Sequence, residues 1–132
     1  AREEVFKLTF QIPFNYDDFD TVIDYYNEIN GDIAKTDKKQ YVYIMSTIDG
    51  VYKNLDKLDE IISENLVTNW TIDRLSKASL AILRLAIYEI LFVEDIPDNI
   101  AANEAVELAK KYDDDSAPAF VNGVISGVIK NK

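Results

Sequence analysis

The chain has 132 residues, 48% of them hydrophobic, enough for one domain that buries roughly two-thirds of its unfolded surface and too few for two. It carries 24 Asp plus Glu against 14 Lys plus Arg, a net charge of −10, so non-specific binding to a polyanion is disfavoured and any nucleic-acid site has to be local and shaped. With no cysteine and no histidine, disulfides, thiolate metal sites and imidazole bases are unavailable, which removes most metal and nucleophile chemistry.

In chain order, Arg2 to Gln11 predicts a short first helix with Val5, Leu8 and Thr9 on one face and Phe6 and Phe10 on an adjoining one, ended by Pro13. Asp17 and Asp18 are placed to cap a second helix bearing Phe19, Val22, Ile23, Tyr26 and Ile29, stopped by Asn30-Gly31. Thr36 and Asp37 start a long third helix whose stripe runs from Tyr41, Ile44, Ile48 and Val51 to Leu58 and Ile62, with a bend expected at Gly50. Trp70 to Ser76 reads as a turn or short helix. From Lys77, the residues Leu80, Leu83, Ile87, Ile90 and Leu91 resume the period in a helix apolar on several sides, hence central and buried. Pro97 separates it from a helix bearing Ile100, Ala101, Ala105, Leu108 and Ala109. Asp115 or Ser116 is expected to cap a last helix bearing Phe120, Val121, Val124, Ile125, Val128 and Ile129. No strand alternation, repeat or linker competes, so the expected fold is all-α in a single domain over 1–132.

The tract Leu80 to Val93 is cut by Arg84 and Glu89 and falls short of the ~20 residues needed to cross a bilayer. No signal peptide is evident, and with no cysteine the expected location is the cytoplasm. The chain opens on Ala1 without methionine, from which a lost N-terminal piece is expected, and its polar finish, Ile129-Lys-Asn-Lys132, suits a free terminus.

Few constellations carry chemistry. Glu104 and Glu107 lie three apart on one helix, but without a histidine they read as a solvated or ion-paired face, not a metal site, and no cofactor is expected. Arg84, in the most apolar helix, needs a partner, with Glu89, Glu104 and Glu107 the candidates. Gly123 and Gly127 have the spacing for close helix packing. The run Asp113 to Asp115 precedes a helix and reads as capping. No glycine-rich phosphate loop exists, which argues against nucleotide hydrolysis. Basic side chains beside aromatics, the pairing suited to unpaired bases and phosphates, occur at Arg2, Phe6, Lys7 and Phe10 and again at Lys110, Lys111, Tyr112 and Phe120; Lys35, Lys38 and Lys39 add a basic spot.

The segments AREEVFKLTFQ, NWTIDRLS, LRLAIYEIL, DIPDNIAANEAVELAKKY and FVNGVI, in this order and spacing, resemble the NusB family over nearly the whole chain. The resemblance implies about seven helices in two packed subbundles. It implies a non-enzymatic transcription antitermination factor that binds the boxA element of ribosomal RNA leader transcripts together with NusE, a small-subunit ribosomal protein, so that RNA polymerase reads through terminators. The RNA contacts it implies are Arg2, Phe10, Ser79, Tyr112 and Phe120. Phe10 stands where some members have tyrosine, Ser79 where some have glutamate and Ala119 where some have lysine; of an arginine-rich arm only Arg2 is present. Asn122 fits the Phe-Val-Asn-Gly pattern and is expected to make a structural hydrogen bond. Members occur as monomers and as homodimers. Two other readings are a NusB-like domain of an RNA cytosine methyltransferase, against which no methyltransferase glycine-rich loop follows, and an acidic helical adaptor that binds only protein.

Overall fold

The computed structural model of the chain describes residues 2–10, 38–67 and 70–132. The second helix expected from Asp17 to Ile29, the start signals Thr36 and Asp37, and Lys35 lie outside these residues. Among the described residues there are six α-helices, one 3-10 turn and no strand.

Helix α1 (Arg2–Phe10) buries Val5 and Thr9, one turn apart, together with Phe6. The Thr9 hydroxyl is satisfied locally, donating to the Val5 carbonyl at 2.8 Å. Phe6 is only 3% exposed, so its ring belongs to the core and is no stacking platform, a correction to its grouping with Arg2 and Lys7.

Helices α2 (Lys38–Lys53) and α3 (Leu55–Glu64) replace the single long helix expected. The break falls at Asn54, not at Gly50. The Asn54 backbone amide and side chain both donate to the Gly50 carbonyl, at 3.1 and 2.8 Å. Gly50 has a packing role instead, because a Cβ there would run into the Tyr88 ring. Ile44, Ile48 and Val51 of α2 and Leu58 and Ile62 of α3 are fully buried at helical spacing.

After a 3-10 turn (Ile72–Arg74), Ser76 caps α4 (Lys77–Phe92) by accepting from the Ser79 amide at 3.0 Å. Eleven of the sixteen residues of α4 are buried, which explains why its sequence is apolar all round: it packs against each of the other five described helices. Helix α5 (Asp98–Tyr112) follows Pro97 and offers a small-residue face of Ala101, Ala105 and Ala109, so α4 and α6 approach it closely. Ile100, assigned by its spacing to that face, is 42% exposed.

Helix α6 (Ala117–Lys130) buries Ala117, Val121, Val124, Ile125 and Val128. Its entry is capped neither by Asp115 nor by Ser116. The Asp114 carboxylate does this, accepting from the Ser116 amide at 3.0 Å and the Ala117 amide at 3.1 Å, where the helix dipole also favours a negative charge. The two glycines of α6 differ. A Cβ on Gly127 would lie 2.5 Å from the Asn65 side-chain oxygen, so a larger residue here requires the Asn65 amide to shift, whereas a Cβ on Gly123 meets nothing. Gly123→Ala is therefore expected to stabilise the fold by about 1 kcal/mol through helix propensity, while Gly50→Ala costs about 1–3 kcal/mol by overpacking against Tyr88. Chemical denaturation of the two variants checks this, and a loss of stability on Gly123→Ala would sink the distinction.

Candidate nucleic-acid interface

The N-terminal end of α4 and the turn between α5 and α6 enclose a cleft of about 420 Å³, lined by Trp70, Arg74, Ser76, Ser79, Asp113 and Phe120 among others. Its floor is fixed by a carboxylate. Asp113 Oδ2 accepts from the Ser76 hydroxyl at 2.6 Å and the Ser79 hydroxyl at 2.7 Å, and Oδ1 accepts from the Asp114 amide at 2.8 Å. Burial pushes the Asp113 carboxyl up, but the hydrogen bonds from Ser76 and Ser79, with those from backbone amides, outweigh it and hold the group below its ordinary range. The anion is thus satisfied largely from within the fold. Ser79, 4% exposed, spends its hydroxyl on orienting Asp113.

The rim is aromatic and cationic. Phe120 is half-buried on the first turn of α6, and Trp70, just before the 3-10 turn, is 42% exposed. The Arg74 guanidinium lies 5.7 Å from the centre of the Trp70 ring and makes no ion pair among the described residues. Neither Trp70 nor Arg74 is among the residues expected to touch RNA. The signal that would have found them is the one applied elsewhere in the chain, an arginine beside an aromatic, here in the turn NWTIDRLS.

The other expected contacts gather on a separate patch where α1 meets α5. The buried Phe6 ring lies 4.9 Å from Tyr112 and 6.1 Å from Phe10, so it links the two more exposed rings. The Tyr112 hydroxyl donates to Glu3, and Lys111 Nζ reaches the same carboxylate at 2.8 Å. Hydrogen bonds from Lys111 and Tyr112 hold the Glu3 carboxyl below its ordinary range. A groove of about 340 Å³ here is lined by Arg2, Glu3, Glu104, Glu107, Lys110 and Lys111. Lys110 meets Glu107 at 3.2 Å, so its positive charges are largely matched by acids within the chain.

Arg2 is committed to the fold. Its Nε donates to both oxygens of Glu89 at 3.0 and 2.9 Å, and a terminal nitrogen lies 2.8 Å from Glu89 and another 4.0 Å from Glu104. Glu89 sits in α4 with its side chain 1% exposed, and burial pushes its carboxyl above its ordinary range, the hydrogen bonds and charge of Arg2 pulling it back only in part. Arg84 does not pair with Glu89, Glu104 or Glu107. It forms a two-pronged pair with Asp59 of α3, both contacts at 2.8 Å. The three glutamates fail as partners because Glu89 is taken by Arg2 and the other two lie on the groove that faces α1. Asn122 is exposed and makes no hydrogen bond among the described residues, so the structural role expected for it is not present there.

The five expected contacts therefore fall into two groups: Ser79 and Phe120 at the cleft, and Arg2, Phe10 and Tyr112 around α1. Among the described residues no cluster of three or more acidic side chains gathers to hold a metal ion. No described helix is long and apolar enough to cross a membrane. What the cleft offers is aromatic surface, hydrogen-bonding groups and one guanidinium, Arg74, outside any close salt bridge among the described residues.

Solved structures share this architecture. T. maritima NusB superposes with a TM-score of 0.85 at 35% identity, covering 98% of this chain and 87% of that one. The antitermination factors NusB and NusE in complex with double-stranded RNA match with a TM-score of 0.86 at 26% identity, covering 99% and 94%. In sequence, the transcription antitermination protein NusB of Clostridium novyi is 44% identical over 98% of this chain and 96% of its own length. That of Natranaerobius thermophilus is 46% identical over 97% and 91%. The NusB family model matches residues 1–130, and with such relatives along nearly its whole length the chain belongs to the NusB family.

Proposed function

We propose that this chain is a transcription antitermination factor that binds boxA-type single-stranded RNA of ribosomal RNA leader transcripts together with NusE, in the cytoplasm, as part of the RNA polymerase antitermination complex. The observation that carries the reading is the cleft beneath Phe120, where a half-exposed ring, hydroxyls and a fixed carboxylate converge in a chain otherwise too acidic for indiscriminate RNA binding. The solved complex of NusB and NusE with double-stranded RNA, of the same fold, supports RNA and NusE as partners. The chain is a non-enzymatic factor, as its relatives named antitermination proteins indicate.

In this reading Phe120 stacks on an unpaired base, and the Asp113 carboxylate, held by Ser76, Ser79 and backbone amides, offers its remaining acceptor capacity to a base amino group. Ser79 positions that carboxylate. Tyr112 and Phe10 form the second aromatic patch, and Arg2 holds α1 so that this patch keeps its place. Asn122, exposed and without a partner among the described residues one turn beyond Phe120's neighbour Ala119, is available to the same strand. The acidic surface suits NusE if that protein presents a basic face.

Titration of a labelled boxA-type oligonucleotide tests the proposal. Affinity is expected to be weak for the chain alone, to rise with NusE, and to fall with salt. Phe120→Ala is expected to cost roughly 1–3 kcal/mol of RNA affinity with the fold intact. Binding of neither the RNA nor NusE at low salt defeats the reading, while binding of NusE with no RNA leaves only a protein adaptor.

A further inference from the structure

We infer that Trp70 and Arg74 form a second stacking station of the cleft, which takes an unpaired nucleobase on the indole and its phosphate on the guanidinium; the inference rests on the RNA-binding reading above. Four observations converge on it. An indole is the largest apolar side chain the fold could bury, yet Trp70 is left 42% exposed on the rim of a cleft. Arg74 lies 5.7 Å from the ring centre, which places a positive charge over one aromatic face. In a chain of net charge −10, whose Arg2, Arg84, Lys110 and Lys111 are all paired with carboxylates, Arg74 makes no close salt bridge among the described residues, its charge being felt only electrostatically by the neighbouring Asp73. Finally, Phe120 lines the same cleft, so two aromatic rings and the Arg74 guanidinium face a single volume of about 420 Å³ that the Asp113 and Asp114 carboxylates also line. That volume falls within the range of roughly 300 to 1,000 Å³ of small-ligand pockets, suited to bases turned out of a strand and too small for a duplex.

Stacking without base-edge contacts is tolerant of sequence, so this station adds affinity for single-stranded character while the carboxylate floor supplies discrimination. It also supplies a guanidinium outside any close salt bridge among the described residues, whereas Lys110 and Lys111 of the patch around α1 are paired with Glu107 and Glu3.

Trp70 is the single tryptophan of the chain, so its fluorescence reports on the site directly. Titrating the full chain with a single-stranded boxA-type oligonucleotide is expected to quench the emission, saturating at the concentration at which anisotropy of the labelled RNA saturates. Trp70→Ala is expected to weaken binding roughly 5- to 150-fold, the span that stacking one base on an aromatic ring carries, and Trp70→Phe to restore most of it. Arg74→Gln should weaken binding and flatten its salt dependence. Circular dichroism checks the fold of each variant, and should Trp70→Ala unfold, the fluorescence titration and Arg74→Gln still decide. RNA binding with unchanged emission and with every folded variant within about 2-fold of the parent overturns the inference and leaves the function standing. Equal quenching by a duplex of the same sequence also overturns it. Absence of any RNA binding by the parent chain overturns both.

Discussion

Asp59→Ala is expected to destabilise the fold by about 3 kcal/mol, because it strands the Arg84 guanidinium in the most buried helix. Arg84 is 6% exposed, and one of its terminal nitrogens already lacks a hydrogen-bond partner, so Asp59 carries most of the compensation for its charge. The Asp59 side chain is 30% exposed, which lets water reach part of the pair and places the cost at the low end of the usual range for breaking a buried ion pair. Arg84→Met in the Asp59→Ala background removes the stranded charge, fills a similar volume and is expected to recover most of the loss. Urea denaturation of the single and double variants measures the coupling. A single-variant cost below about 0.5 kcal/mol would show that the pair contributes nothing beyond an exposed one.

The second large effect concerns Arg2. Arg2→Ala leaves Glu89, 1% exposed, without its cation and is expected to cost about 3 kcal/mol at neutral pH. The cost depends on pH with a definite sign. Burial already raises the Glu89 carboxyl above its ordinary value of 4.5, so its contribution is fully favourable below that value and is lost as pH rises through the folded-state value. Without Arg2 the folded-state value rises further. The parent and variant should therefore be nearly equal in stability near pH 4 and diverge as pH increases. Glu89→Gln in the Arg2→Ala background should abolish the divergence. A gap that stays constant from pH 4 to pH 8 would show that Arg2 acts by packing and not by charge.

Periodicity made the helices legible because each buries an apolar face through local spacing alone. The central position of α4 could be read directly, since apolar residues around its whole circumference have nowhere to go but the core. Side-chain partners were not legible. Arg84 and Asp59 are 25 residues apart, and no pattern in the sequence states which face of α3 crosses α4. The helix break was misplaced because glycine is the generic helix weakener, whereas here Gly50 is needed for close packing against Tyr88 and the break falls at Asn54, whose residue type favours helix ends. The cap of α6 was misplaced by one or two residues because a run of three aspartates offers the same chemistry three times, and only the chain path selects Asp114. At the candidate site, Phe120 and Tyr112 look adjacent in sequence across one turn, but α5 and α6 turn them to different surfaces, one toward Trp70 and the other toward Phe6.

The burial of α4 has a consequence for how a flexible ligand is held. Ser79, under the cleft, and Glu89, beneath the α1 patch, are ten residues apart on this one helix, a separation of ~15 Å along an axis fixed by contacts on several sides. The helix thus acts as a ruler between two aromatic surfaces that cannot slide relative to each other without opening the core. A strand that spans both has to adopt the spacing of the protein, and the loss of conformational freedom on complex formation falls on the RNA, with the protein preorganised.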